Sequence, residues 1–66
     1  VLESVTVRQA WEKLKAADRS ILALTALEGL SLEDVALTLK ISKNAATIRS
    51  HRAKKNFSEI LKEFEG

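Results

Sequence analysis

The sequence predicts an all-α fold, a small bundle of about four helices without a β-wing. The 66 residues contain no proline and only two glycines, so few residues interrupt a helix. Apolar residues recur three and four positions apart, which is the spacing of one helix face. The chain also lacks cysteine, and a chain this short without disulfides reaches a stable core most easily through local helical contacts.

The first two helices follow from this spacing. An amphipathic helix is predicted over about residues 6–16, with Trp11 in the core or, alternatively, docked against another domain. A second helix is predicted to begin at Asp18 as its N-cap and to stop at Gly29, which can adopt the left-handed conformation that ends helices. Because it carries many Ile and Leu residues, we expect it to be the most buried helix.

A tight turn joins two further helices. Ser31 can cap a short helix over about residues 32–39, with acids in its first turn. The apolar pattern stops at residues 40–42, and Ser42 can cap a last helix that continues almost to the end of the chain. Two helices joined by about three residues cross steeply, so the second projects from the body. This arrangement predicts a helix-turn-helix unit. Its recognition helix, the first part of the projecting last helix, covers about residues 43–57.

Charge is unevenly distributed along the chain. The formal net charge is only +2, but residues 40–55 hold six of the 11 cations and none of the nine acids. A basic stretch on a mildly acidic body is typical of a surface that binds polyanions, although a solvated helix face can be equally basic. Because the stretch coincides with the projecting helix, we expect that helix to bind double-stranded DNA.

The last helix has two different sides. Small residues and phenylalanines recur at four-three spacing on one side, which we expect to face inward. The small side chains would allow a close approach to the partner helices. The inward positions are Ala46, Ser50, Ala53, Phe57, Ile60 and Phe64.

The opposite side mixes cationic, hydrogen-bonding and methyl-bearing groups, which suits the floor of a DNA major groove. Arginine can bond guanine through two hydrogen bonds, and a methyl group can pack on thymine. The residues expected to face bases are Asn44, Thr47, Ile48, His51 and Arg52. The residues expected to contact phosphates beside them are Lys43, Arg49, Lys54 and Lys55.

No enzyme, cofactor or small-molecule substrate is predicted. The acids are scattered on outer helix faces, and neither a nucleophile with a base nor a glycine-rich loop occurs. His51 is the sole histidine and has no cysteine beside it, so we expect no metal site. No apolar run approaches the roughly 18 residues of a membrane span, and the lack of cysteine fits a cytoplasmic protein.

Three segments resemble region 4 of bacterial sigma factors, especially those of the extracytoplasmic-function group. They are residues 29–36 (GLSLEDVA), 40–46 (KISKNAA) and 51–55 (HRAKK), and the similarity runs without a gap over about residues 14–57. The resemblance implies promoter DNA and the RNA polymerase core as partners, with the last helix in the major groove of the -35 element. It implies base-facing roles for Thr47, Ile48, His51 and Arg52, and phosphate contacts by Arg19, Arg49 and Lys54.

The chain departs from the family pattern at four positions. Lys40 stands where the family usually has glycine, so a residue with a Cβ must fit the turn. Ala17 replaces a common proline, and Ala46 replaces a larger valine, which suggests looser packing there. Thr47 replaces a residue that is commonly basic, which suggests an unusual promoter preference.

Two alternatives remain open. Residues 47–52 also resemble the DNA-binding output domain of LuxR-type response regulators, but that alignment needs a two-residue insertion and turns Arg52 and Lys55 toward the core, at a cost of several kcal/mol. The chain could instead act mainly as a target of an anti-sigma factor. The apolar residues for such a contact would be Trp11, Ile48, Phe57, Ile60 and Phe64.

The 66 residues can hold one domain. Because the chain opens with Val1 instead of methionine, we expect it to be a fragment of a larger regulator.

Overall fold

The computed structural model of the chain describes residues 5–65, which form four α-helices and contain no β-strand. A π-helical segment, Ala23–Leu27, extends the second helix. The predicted all-α helix-turn-helix fold is therefore confirmed. The helices are α1 (Val5–Lys13), α2 (Ala16–Leu22), α3 (Leu32–Leu39) and α4 (Lys43–Glu65).

The boundary between α1 and α2 differs from the sequence-based prediction. α1 ends at Lys13, where the Leu14 N–H donates to the Trp11 carbonyl at 3.2 Å. α2 begins at Ala16, so Asp18 is not the N-cap but lies inside the first turn. A carboxylate in the first turn still stabilises the helix, because it lies near the positive end of the helix dipole. The predicted cap is therefore wrong: Lys15 is the N-cap, and the Asp18 carboxylate instead accepts a hydrogen bond from α4.

The end of the second helix widens into the π-helical segment. The Glu28 N–H donates to the Ala23 carbonyl at 2.9 Å, five residues back. The Thr25 hydroxyl donates to the Ile21 carbonyl at 2.9 Å, a back-bond of the kind that bends helices. Gly29 then adopts a left-handed conformation with φ of 70°, as its position predicted.

Both serine caps of the helix-turn-helix unit are confirmed. The Ser31 hydroxyl accepts the Asp34 N–H at 3.2 Å, and the Ser42 hydroxyl accepts the Ala45 N–H at 3.0 Å. Between them, Lys40 adopts the left-handed conformation, with φ of 58°, which closes α3. A lysine therefore occupies a backbone conformation that glycine adopts more easily.

α4 packs across the other three helices and completes the core. Ala46 and Ala53 are 0% exposed, so their small side chains let α4 approach closely. Trp11 is half-buried and lies edge-on to Phe57, with 6.0 Å between ring centroids, which confirms its predicted place in the core. The other buried apolar side chains are Ala10, Leu14, Ile21, Leu22, Val35 and Ala36.

Candidate nucleic-acid interface

The outward side of α4 carries the predicted DNA-facing residues. The inward stripe is buried at Ala46, Ser50 and Ala53 and continues through half-buried Phe57 and Ile60. Because this stripe anchors the helix, the side chains on the opposite side are displayed to solvent. The exposed residues are Lys43, Asn44, Thr47, Ile48, Arg49, His51, Arg52, Lys54 and Lys55.

Two grooves run beside the basic part of α4. The arginine groove lies between α4 and the start of α2, and Arg49 and Arg52 line it from α4. The Ser50 groove lies between α4 and the segment that joins α2 to α3, and His51 and Lys54 line it from α4. Both margins of α4 thus carry side chains that can donate hydrogen bonds to an anion.

An exposed ridge separates the two grooves. Asn44, Ile48 and Lys55 lie on this ridge, because they follow one another at four and seven residues along the helix. A helix placed in the DNA major groove faces bases along its ridge and a phosphate strand along each margin. On α4 the ridge carries Asn44, Ile48 and one cation, Lys55, and further cations line both margins.

Lys43 is held by a residue that the sequence analysis did not select. Its ammonium lies 3.1 Å from the Glu33 carboxylate, and both side chains are mostly exposed, at 63% and 72%. Glu33 belongs to the first turn of α3 and Lys43 to the first turn of α4, so the ion pair spans the turn of the helix-turn-helix unit. The two residues are ten positions apart, and no spacing rule for a single helix could have paired them.

Arg19 is placed differently from the other predicted phosphate-binding residues. It lies on α2, is half-buried and lines neither groove beside α4. Its phosphate contact therefore stays a prediction based on the resemblance.

The orientation of α4 distinguishes the two alignments considered above. Ile48 is 46% exposed, and Arg52 and Lys55 face solvent. The gapless alignment predicted this orientation, whereas the alternative alignment would have turned Ile48 inward. The two cations are consequently free of the burial cost that the alternative imposes.

The apolar residues considered for a protein contact do not form one exposed surface. Trp11, Phe57 and Ile60 pack against the core, whereas Ile48 lies on the outward side of α4. Phe64 is partly exposed near the end of α4, where the Lys13 ammonium lies 4.9 Å from its ring centroid. A partner would therefore meet Ile48 and Phe64 on different sides of the helix.

Within residues 5–65 no group of three or more potential ligand residues is arranged to hold a metal ion. None of the helices described is both long enough and apolar enough to span a membrane.

A comparison with known protein families shows the family to which this chain belongs. The family model described as sigma-70, region 4 matches residues 4–57, well over half of the chain. The match extends the similarity toward the N-terminus, so that it covers α1 as well as the helix-turn-helix unit. Neither the curated proteins nor the solved structures gave a match. Sigma-70 region 4 is a family of DNA-binding domains of the transcription machinery and not of enzymes. From its sequence match and its helix-turn-helix fold, the chain belongs to the sigma-70 region 4 family.

Proposed function

We propose that this chain is the promoter-binding domain of an alternative sigma factor of the extracytoplasmic-function type. In the RNA polymerase holoenzyme it would insert α4 into the major groove of the -35 element. The observation that carries the proposal is the outward side of α4, where hydrogen-bonding, methyl-bearing and cationic side chains are displayed together, with cations along both margins. The match to sigma-70 region 4 supports promoter binding.

The outward side chains of α4 suggest separate roles. Arg52 has the side chain best suited to a bidentate contact with guanine. Asn44, Thr47 and Ile48 would contact neighbouring bases through amide, hydroxyl and methyl groups. The proposed phosphate contacts, which set the register without reading sequence, are Arg19, Lys43, Arg49, Lys54 and Lys55.

The proposed setting is the cytoplasm, and the proposed protein partner is the RNA polymerase core. The chain would be one domain, residues 1–66, of a larger regulator. An anti-sigma factor that covers the outward side of α4 would compete with DNA for the same cations.

The salt dependence of DNA binding tests the proposal. Duplexes selected by the chain from a random pool would supply the ligand, and affinity would be measured by fluorescence anisotropy over a range of salt concentrations. With about four to six phosphate contacts, the logarithm of the affinity should fall with the logarithm of salt at a slope of about −4 to −5. A slope close to zero would contradict the proposal.

A matched pair of variants makes this experiment specific to the proposed surface. Arg49→Gln should make the slope shallower by about one, because one phosphate contact is lost. Lys62→Gln removes the same charge from the exposed C-terminal part of α4, outside the basic stretch, and should leave the slope unchanged. Equal effects of the two variants would indicate attraction by net charge alone.

A further inference from the structure

The Ser50 groove contains a hydroxyl group that the fold does not use. Ser50 is only 4% exposed, yet within the described part of the chain its hydroxyl has no hydrogen-bond partner. Every fully enclosed side-chain N or O atom among these residues has a hydrogen-bond partner. Because the Ser50 oxygen has none, it is not fully enclosed and must be open to the groove that it lines. With no partner inside the fold, this hydroxyl is left to bond whatever enters the groove.

The neighbouring hydroxyls differ from Ser50 in this respect. Thr47 donates its proton to the Lys43 carbonyl at 2.9 Å, and Thr25 donates to the Ile21 carbonyl at 2.9 Å. Among the three hydroxyls that line the groove, Ser50 therefore holds the proton that is available to a ligand.

The remaining lining of the groove favours an anion. Lys54 and His51 stand at its margin on α4, Leu30 and Leu32 form its apolar wall, and no carboxylate lines it. Lys54 forms no ion pair within residues 5–65, so its charge is not neutralised there. The groove is open to solvent and has a volume of about 380 Å³, which is ample for a tetrahedral anion.

We propose that the Ser50 groove binds a phosphate group. The Ser50 hydroxyl donates from the floor, and the Lys54 ammonium and a His51 ring N–H donate from the margin. Phosphate fits this set because its oxygens accept several strong hydrogen bonds at once. His51 is then a phosphate-binding residue, in place of the base contact expected from the sequence.

The source of the phosphate rests on the proposed function. With α4 in the major groove, one DNA strand passes along the margin that carries His51 and Lys54, and one of its phosphates enters the groove. A free phosphorylated molecule has the same chemistry, so the experiment needs an arm for each source.

The first arm uses the full chain with a selected duplex in which one phosphate at a time is replaced by a neutral methylphosphonate. Ser50→Ala should weaken duplex binding about ten- to hundredfold, because one hydrogen bond to a charged group is lost. At a single methylphosphonate position the native chain should lose more affinity than Ser50→Ala does, because the variant already lacks one of the three donors to that phosphate. Ser58→Ala, an exposed serine on the same helix beyond the basic stretch, should bind as the native chain does.

Stability separates a binding role from a structural one. If the Ser50 hydroxyl serves only the ligand, Ser50→Ala should melt at the same or a higher temperature than the native chain while binding more weakly. Ser50→Cys, which keeps the volume approximately and provides a weak donor, should also bind more weakly.

The second arm titrates inorganic phosphate into the chain without DNA and follows backbone amide signals by NMR. Shifts confined to Ser50, His51 and Lys54 that vanish in Ser50→Ala support the phosphate site. If these shifts occur but no duplex binds, the site takes a small phosphorylated ligand and the proposed function fails. A different result would overturn the phosphate site and leave the proposed function standing. In that case duplexes bind, but no methylphosphonate position couples to Ser50, and inorganic phosphate shifts none of the three amide signals.

Discussion

The Asn56 side chain donates a 3.0 Å hydrogen bond to the Asp18 carboxylate, joining residues 38 positions apart. The bond is partly buried and ties α4 to the first turn of α2. Asn56 directly follows Lys55, the last cation of the basic stretch. The hydrogen bond therefore fixes the direction of α4 at the point where its proposed DNA-binding surface ends.

Loss of this hydrogen bond should destabilise the fold. Asn56→Ala is expected to lower the free energy of unfolding by about 1–2 kcal/mol, since the acceptor is charged and the site is half-buried. Urea unfolding followed by the fluorescence of Trp11, the single tryptophan, measures the change. Asp18→Ala and the double variant complete a thermodynamic cycle. If the two single losses simply add in the double variant, the hydrogen bond contributes nothing to stability.

Glycine at position 40 should stabilise the protein. Lys40 has a φ of 58°, and a left-handed conformation costs a residue with a Cβ about 1–2 kcal/mol. Lys40→Gly removes that strain but adds backbone entropy to the unfolded chain, so we expect a net gain of about 1 kcal/mol in thermal or urea unfolding. Lys40→Ala removes the same charge and keeps the Cβ, and should leave stability nearly unchanged. A similar gain in both variants would assign the effect to charge and not to the backbone.

Arg52 and Lys54 should differ in what they contribute to DNA binding. Arg52→Ala is expected to reduce discrimination between the selected duplex and a duplex with one changed base pair by about 1–3 kcal/mol. Lys54→Ala should weaken binding to both duplexes alike, because phosphate contacts carry no sequence information. Anisotropy titrations of the two duplexes at one salt concentration provide the comparison. Equal loss of discrimination in the two variants would contradict the assignment of Arg52 to a base and Lys54 to a phosphate.

Removing Glu33 should strengthen DNA binding. Its carboxylate holds the Lys43 ammonium at 3.1 Å and would compete with a DNA phosphate for it. An exposed ion pair contributes up to about 1 kcal/mol, so Glu33→Gln should raise the affinity for all duplexes by up to about fivefold.

Two controls separate this competition from a general charge effect. Glu12→Gln removes one exposed acid from α1 and should raise affinity less. In a Lys43→Gln background, Glu33→Gln should have no effect beyond that of Glu12→Gln. Weaker binding by Glu33→Gln alone would show that Glu33 positions Lys43 for the phosphate and does not compete with it.

The local sequence was sufficient to predict the helices of the helix-turn-helix unit and the two sides of α4. Ser31 and Ser42 cap the helices that follow them because a serine hydroxyl reaches only the N–H groups of the next turn. The buried stripe through Ala46 and Ala53 follows from helical spacing alone. These features depend on contacts within a few residues, so sequence patterns contain them.

The tertiary structure decided the features that depend on how the helices cross. Asp18 looked like a cap in sequence, but the crossing of α2 and α4 gives it Asn56 as a partner. Lys43 faces Glu33 because the turn brings two helix starts together. Ser50 belongs to the inward stripe by spacing, and only the path of the chain from Thr25 to Leu32 leaves a groove beside its hydroxyl. Sequence periodicity determines which side of a helix faces inward, whereas the angle and distance between helices determine which groups meet there, and these depend on the packing of the whole core.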